Sequence, residues 1–284
     1  MTSFPFKKNF SHLNKKELEK YIFDFYHLYK NRPIKDNKGG MFFGNMFGLY
    51  YFLRKIKPEF VIESGVFKGQ TSWLIEKVLP NSKILSIDPD FSNRKYISKK
   101  IKYSNIDFKN QNFKNIPKNS LVFFDDHQNQ IERLMQCKWF GIKNVVFDDN
   151  YPVGKGDLYT LKHAYQHKGF NHHLTFKSMI KSLIIFISMI LKKKIFKDYY
   201  FSNDILKSRF RDQKPNKFDF HYVNKNIDKY FEFPPIFKLK RKVRKNEKTE
   251  SPIFSENFKK YFDLPNTELD SHSSVTFVKI KISK

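Results

Sequence analysis

Short apolar runs recur between residues 41 and 165, and each breaks off in a charged or glycine-rich turn: Phe60-Val61-Ile62, Ile84-Leu85-Ser86-Ile87, Leu121-Val122-Phe123-Phe124 and Val145-Val146-Phe147. Runs that are apolar on both faces and interleaved with helical or polar stretches predict the buried strands of a doubly wound, mostly parallel α/β sheet. Two other periods stand beside them. Leu13, Leu18, Ile22, Phe25, Tyr26 and Tyr29 recur near the helical repeat, and Asn31, Pro33 and Gly39-Gly40 close that helix. Near the other end, Ser274 to Ile282 alternates with period two, which predicts a strand with one buried face, fit to complete the sheet as a late antiparallel member. The pattern therefore predicts a helical extension over 1–40, an α/β core over 41–165 and a closing strand within 266–284. Residues 166–265 lose the rhythm and read as an insert or cap before the last strand.

Composition narrows the class. The chain has 284 residues, 40% of them hydrophobic, with ten glycines and twelve prolines, which excludes collagen-like and low-complexity classes. A mean hydropathy of −0.61 predicts a soluble, globular protein. The single cysteine, Cys137, cannot form an internal disulfide; it favours a reducing compartment and a structural role. Met1 to Lys8 lacks the apolar run of a signal peptide, so a cytoplasmic location is expected. Leu183 to Leu191 is apolar but too short to span a bilayer, leaving a core helix of the insert or an interfacial helix on anionic lipid.

Charge adds less than its size suggests. Lys and Arg number 54 against 28 Asp and Glu, a net +26, which points toward phosphate, nucleic acid or anionic lipid. Lysine far outnumbers arginine, however, and Asn, Ile and Phe are abundant too, as an AT-rich coding sequence would produce without selection for binding. The densest basic run, Lys238 to Lys248, reads as a solvated loop or, as the minority reading, a site for phosphate-rich partners. His163 and His167 share a helical spacing, with His172 and His173 beyond, but no carboxylate or cysteine completes a metal site, and they read as surface or partly packed.

Candidate chemistry begins after the first strand. Glu63-Ser64-Gly65-Val66-Phe67-Lys68-Gly69-Gln70-Thr71-Ser72 leads into a helix through Trp73, Leu74, Ile75 and Val78. A strand, a glycine turn and a helix start make a ligand crevice, with close backbone approach and free N–H groups for an anion. The dinucleotide fingerprint is absent, since no glycine lies midway between Gly65 and Gly69, and no Gly-Lys-Ser/Thr of a P-loop follows. Asp88 ends the second strand, where an acid accepts hydrogen bonds from ribose hydroxyls. Asp107 and Phe108 would offer an edge and a face to an adenine. Two acidic clusters then follow strands: Asp125-Asp126-His127 and Asp148-Asp149-Asn150. In a parallel sheet both reach the rim that carries the glycine turn, and carboxylates gathered there call for a cation, with hard oxygens suited to Mg²⁺.

From Phe60 to about Tyr159 the chain resembles class I S-adenosylmethionine-dependent methyltransferases, in particular metal-dependent O-methyltransferases of the catechol and macrolide-sugar types. The resemblance implies a Rossmann-like methyltransferase sheet. Glu63, Gly65 and Gly69, with Thr71 beside them, would then hold the methionine moiety, Asp88 the ribose, and Asp107 with Phe108 the adenine side. The catechol-type pairs are matched by Asp126-His127 and Asp149-Asn150, so the resemblance implies Asp126, Asp149 and Asn150 as metal ligands, with Asp148 added from the sugar-modifying relatives. One departure matters: the catechol-type enzymes carry a lysine base two residues past the first His, where this chain has Asn129. His127, Asp125 or Asp126 would have to take the proton, or activity is altered or lost.

Three functions follow as expectations. The first is metal-assisted methyl transfer from S-adenosylmethionine to a hydroxyl of a sugar or small polyhydroxylated acceptor. The second is a basic, catalytically inactive protein on the same fold that contacts nucleic acid or an anionic membrane. The third is a hydroxylase-like or sugar-modifying relative. Nucleic acid is the least favoured partner, and the oligomeric state is open.

Overall fold

The computed structural model describes residues 14–113, 115–151, 158–165, 217–237, 252–269 and 275–282. These fall into two compact units: the first draws on 1–126, 138–148 and 227–284, the second on 127–137 and 149–226. The expectations placed on Leu183–Leu191, Lys238–Lys248, His167, His172 and His173 lie outside the described residues.

The first unit is built on a seven-stranded sheet. Its strands are β1 (Phe60–Ser64), β2 (Lys83–Ile87), β3 (Ile101–Ser104), β4 (Ser120–Phe124), β5 (Asn144–Phe147), β6 (Ile227–Glu232) and β7 (Thr276–Ile280). They lie in the order β3-β2-β1-β4-β5-β7-β6. Strands β1 to β5 pair in parallel, while β7 runs antiparallel to both β5 and β6. This is the doubly wound, mostly parallel, Rossmann-like arrangement that the apolar runs predict. The order reverses between β1 and β4, and the crevice outside the carboxyl ends of strands at such a reversal is where ligands bind in this class of fold.

One boundary is corrected. Strand β6 lies inside the stretch expected to be a cap, yet it forms the edge of the core sheet, with Tyr230 opposite Val278 and Phe231 opposite Phe277. Its sequence, Ile-Asp-Lys-Tyr-Phe-Glu, is mostly polar because it is an edge strand; only Ile227 and Tyr230 are buried. A strand with one solvated side does not show the continuous apolar run that marks β1 or β4.

Two helices cover one side of the core. Helix α1 (Lys15–Lys30) starts at Asn14, whose side chain accepts from the backbone N–H groups of Lys16 and Glu17, and it buries Leu18, Ile22, Phe25, Tyr26 and Tyr29. Helix α2 (Phe43–Ile56) buries Phe43, Met46, Phe47, Leu49, Tyr50, Tyr51, Phe52 and Leu53. Being apolar almost all round, α2 is a central helix. Phe25 packs against Phe43 and Phe47, and Phe52 stacks on Phe277 of β7. The described part of the supposed N-terminal extension, residues 14–40, is therefore part of the same core as the sheet. Among the described residues no helix is long and apolar enough to cross a membrane.

Candidate functional site

Helix α3 (Gln70–Val78) follows β1 through the turn Gly65–Gly69, and both glycines are there for backbone reasons. Gly65 has φ +95°, and a Cβ on it would stand 2.2 Å from the carbonyl oxygen of Asp125. The end of β1 thus lies directly against the segment leaving β4, at the reversal point of the sheet. Gly69 has φ +87° and caps α3, with the Tyr96 carbonyl 3.0 Å from where a Cβ would be. Between them Phe67 is also left-handed, at φ 49°, which a bulky residue adopts only under constraint.

Asp88 is joined to this turn. Its Oδ2 accepts from the N–H groups of Val66 at 2.8 Å and Phe67 at 3.0 Å, and its Oδ1 accepts from Asp90 N at 3.0 Å. The acid after β2 and the glycine turn after β1 therefore form one hydrogen-bonded structure. Asp88 shapes the turn, and its carboxylate keeps lone pairs beyond these three bonds.

Glu63 has a different place from the expected one. It is fully buried, and its carboxylate accepts from Thr71 Oγ1, from Ser72 Oγ at 2.5 Å and from Ser86 Oγ at 2.5 Å. Glu63 and Thr71 thus lie beneath the crevice, tying α3 to β1 and β2. Burial pushes the Glu63 carboxyl up, and the three hydroxyl bonds oppose that shift.

The adenine side is corrected in part. Asp107 accepts from Lys109 N at 3.0 Å and caps the short 3-10 turn Phe108–Asn110. Phe108 is completely buried, edge-on to Phe124 and Phe140 and tilted against Phe113. Its ring fills the core and offers no face to a ligand.

The acidic clusters divide in the same way. In the first unit Asp126 accepts from Ser64 Oγ at 2.6 Å. Asp148 is buried, with Asn45 Nδ2 donating to both oxygens at 2.8 and 3.1 Å, so it anchors the first turn of α2 to the end of β5. In the second unit Asn150 is buried, and its Oδ1 accepts from Lys162 N at 3.3 Å, near the start of helix α5 (Leu161–Tyr165). Asp148 and Asn150 are therefore structural tethers in the described state. His127 Nε2 lies 3.6 Å from Asp149 Oδ2, and the two residues are left-handed at φ 54° and 56°. Five non-glycine residues among those described are left-handed, and three of them, Phe67, His127 and Asp149, follow β1, β4 and β5. His and Asp tolerate that region better than most residues, but its recurrence after three strand ends marks these loops as constrained.

Asn129 has a structural job too. Its Oδ1 accepts from Ile131 N at 2.9 Å and Glu132 N at 3.3 Å, capping helix α4 (Gln130–Trp139). His163, expected at the surface or partly packed, is completely buried, its Nδ1 2.7 Å from Thr160 Oγ1; Cys137 is buried as well, which suits the structural role expected of it. Sequence reasoning singled out no role for Lys68, whose Nζ donates to the carbonyls of Asp36 at 2.9 Å and Lys38 at 3.3 Å. It straps the segment before α2 onto the glycine turn, and only a fold could reveal that contact.

No family model matches the chain. No curated protein matches it either. Among solved structures it is similar to CmcI in its N160 form with SAH, at 13% identity over 37% of this chain and 59% of that one, TM-score 0.34. CmcI in its D160 form with Mg and SAM aligns at 17% identity over 37% and 52%, TM-score 0.31. The SAH-bound Podospora anserina methyltransferase PaMTH1 aligns at 13% identity over 53% and 73%, TM-score 0.32. The chain thus spans between about half and three fifths of the CmcI length. Likenesses of this size say nothing of the chemistry, which rests on the residues above.

Proposed function

We propose that the protein is an S-adenosylmethionine-dependent methyltransferase that methylates a hydroxyl of a sugar or other small polyhydroxylated acceptor with help from a divalent cation. One observation carries the cofactor half: Asp88 at the end of β2 accepts the N–H groups of Val66 and Phe67, which makes the glycine turn and a ribose-type acid a single preformed crevice. That crevice opens at the reversal between β1 and β4, where a doubly wound sheet binds its ligand. The sulfonium of the cofactor supplies the methyl group; the protein has to hold it in line with the acceptor oxygen and keep water away.

For the metal, the donors that suit Mg²⁺ by chemistry are carboxylates that are not sealed in the interior: Asp125 and Asp126 in the first unit, and Asp149 in the second. Asp148 and Asn150, the neighbours of Asp149, serve by holding the loop on which it lies. A bound divalent ion would lower the pKa of an acceptor hydroxyl. His127, beside Asp149, is the best-placed general base in the second unit, with Asp125 and Asp126 as the carboxylate candidates.

Isothermal titration calorimetry tests the reading. S-adenosylhomocysteine should bind the wild type with one site per chain, and Asp88→Ala should remove that binding. Absence of binding to the wild type, together with salt-sensitive binding of an oligonucleotide, would replace the enzyme with the basic binding protein.

A further inference from the structure

Between Glu63 and Ser72 the polar side chains are nearly all used. Glu63 is held by Thr71, Ser72 and Ser86; Ser64 donates to Asp126; Lys68 donates to Asp36 and Lys38. The turn's backbone is engaged too: Gly65 N donates to Ile87, Gly69 N to Val66, and Val66 N and Phe67 N donate to Asp88. Gln70 is the exception. It is 2% exposed, and neither its Nε2 nor its Oε1 has a hydrogen-bond partner. A buried primary amide with both ends unmet is a rare thing in a folded protein and calls for an explanation.

Its position supplies one. Gln70 is the first residue of α3, directly after Gly69, and side chains on a helix lean toward its N-terminus. The amide therefore belongs to the end of α3 that borders the glycine turn. No side chain caps that end, and the first helical bond is from Trp73 N to Gly69 O, so the N–H groups of Gln70, Thr71 and Ser72 precede the helix's own ladder. A helix N-terminus attracts an anion, and the amide beside it offers one donor group and one acceptor.

We infer that Gln70 reads the α-amino-acid end of the cofactor, its Nε2 donating to the carboxylate and its Oε1 accepting from the ammonium. An α-amino acid presents an anion and a cationic donor on one carbon, and the pairing of helix terminus and carboxamide is complementary to both. The inference rests on reading the crevice as an S-adenosylmethionine site and deepens it.

The test separates the amino-acid end from the nucleoside. S-adenosylhomocysteine and 5′-methylthioadenosine share the nucleoside and thioether, and only the first has the amino-acid end. Calorimetric titrations of wild type and Gln70→Leu with each ligand should show the variant losing about tenfold in affinity for S-adenosylhomocysteine and less than about twofold for 5′-methylthioadenosine. Thermal melting should find Gln70→Leu at least as stable as wild type, since an apolar side chain of similar size removes two unmet polar atoms. Equal losses for both ligands, or none for either, would overturn the inference while leaving the cofactor reading intact. A lowered melting point with unchanged S-adenosylhomocysteine affinity would also overturn it, by showing that the amide is satisfied by a buried water. Failure of both ligands to bind the wild type would instead sink the cofactor reading itself.

Discussion

Gly65 carries the tightest steric demand in the crevice. Any Cβ there meets the Asp125 carbonyl at 2.2 Å, and φ +95° is strained for every residue but glycine. Gly65→Ala should therefore destabilise the first unit by about 3 kcal/mol or more, read as a lowered midpoint in urea. Gly141, with φ +75° and nothing near its Cβ direction, is the control, and its alanine variant should cost about 1 kcal/mol. Glu63 makes a prediction of the opposite kind. Its carboxyl is raised above the ordinary 4.5 by burial, so the folded state binds the proton more tightly than the unfolded chain does. The stability that this group contributes is complete below pH 4.5, and it is lost as pH climbs through the raised folded value. Urea titrations across that window should show wild-type stability falling relative to Glu63→Gln as pH rises. A difference that stays flat, or grows in favour of the wild type, would mean the three hydroxyl bonds outweigh burial.

Elements are joined here by a few buried polar ties. Glu268 on the short helix α6 (Asn266–Leu269) accepts from Tyr29 Oη at 2.5 Å, in the last turn of α1, and pairs at 3.2 Å with Arg32 just past it, while the Arg32 guanidinium lies 4.1 Å from the Tyr29 ring centre. Glu268→Ala strands a buried guanidinium and should cost about 3–5 kcal/mol, whereas Arg32→Met with Glu268→Leu together should cost far less. Denaturation of the two singles and the double measures the difference, and an additive double would refute the tie. Such ties explain what could be read from the chain and what could not. β1, β2, β4, β5 and β7 were legible because buried strands need apolar runs or strict alternation, and Asp88 was legible because a strand end fixes its place. Helix α2 has no polar face to give it a helical period, β3 is four residues with a lysine at its centre, and β6 is a polar edge. All three depend on partners far away in sequence. Among the site residues, Phe108, Asp148 and Asn150 were chosen by residue type and position in a motif; what sequence lacks is which side of a loop each side chain takes.

At the scale of the whole molecule the dominant fact is the net charge of +26. Only eight of the 54 cations are arginines, the side chain best built for bidentate phosphate recognition. Lysines along β3 and its flanks, Lys95, Lys99, Lys100, Lys102 and Lys109, are exposed, and no anionic side chain pairs with them among the described residues. A solvated like-charge excess repels itself and loosens the compact state, an effect that salt screens. Raising sodium chloride from about 10 to about 150 mM shortens the Debye length from about 30 to about 8 Å, so the urea midpoint should rise over that range. S-adenosylhomocysteine has no net charge near pH 7, and its affinity should shift by less than about twofold across the same series. If the charge is compositional, an oligonucleotide added at 150 mM salt should leave the midpoint where salt alone puts it. A further rise with the oligonucleotide would assign the lysines a polyanion to hold, since a ligand stabilises only the state that binds it.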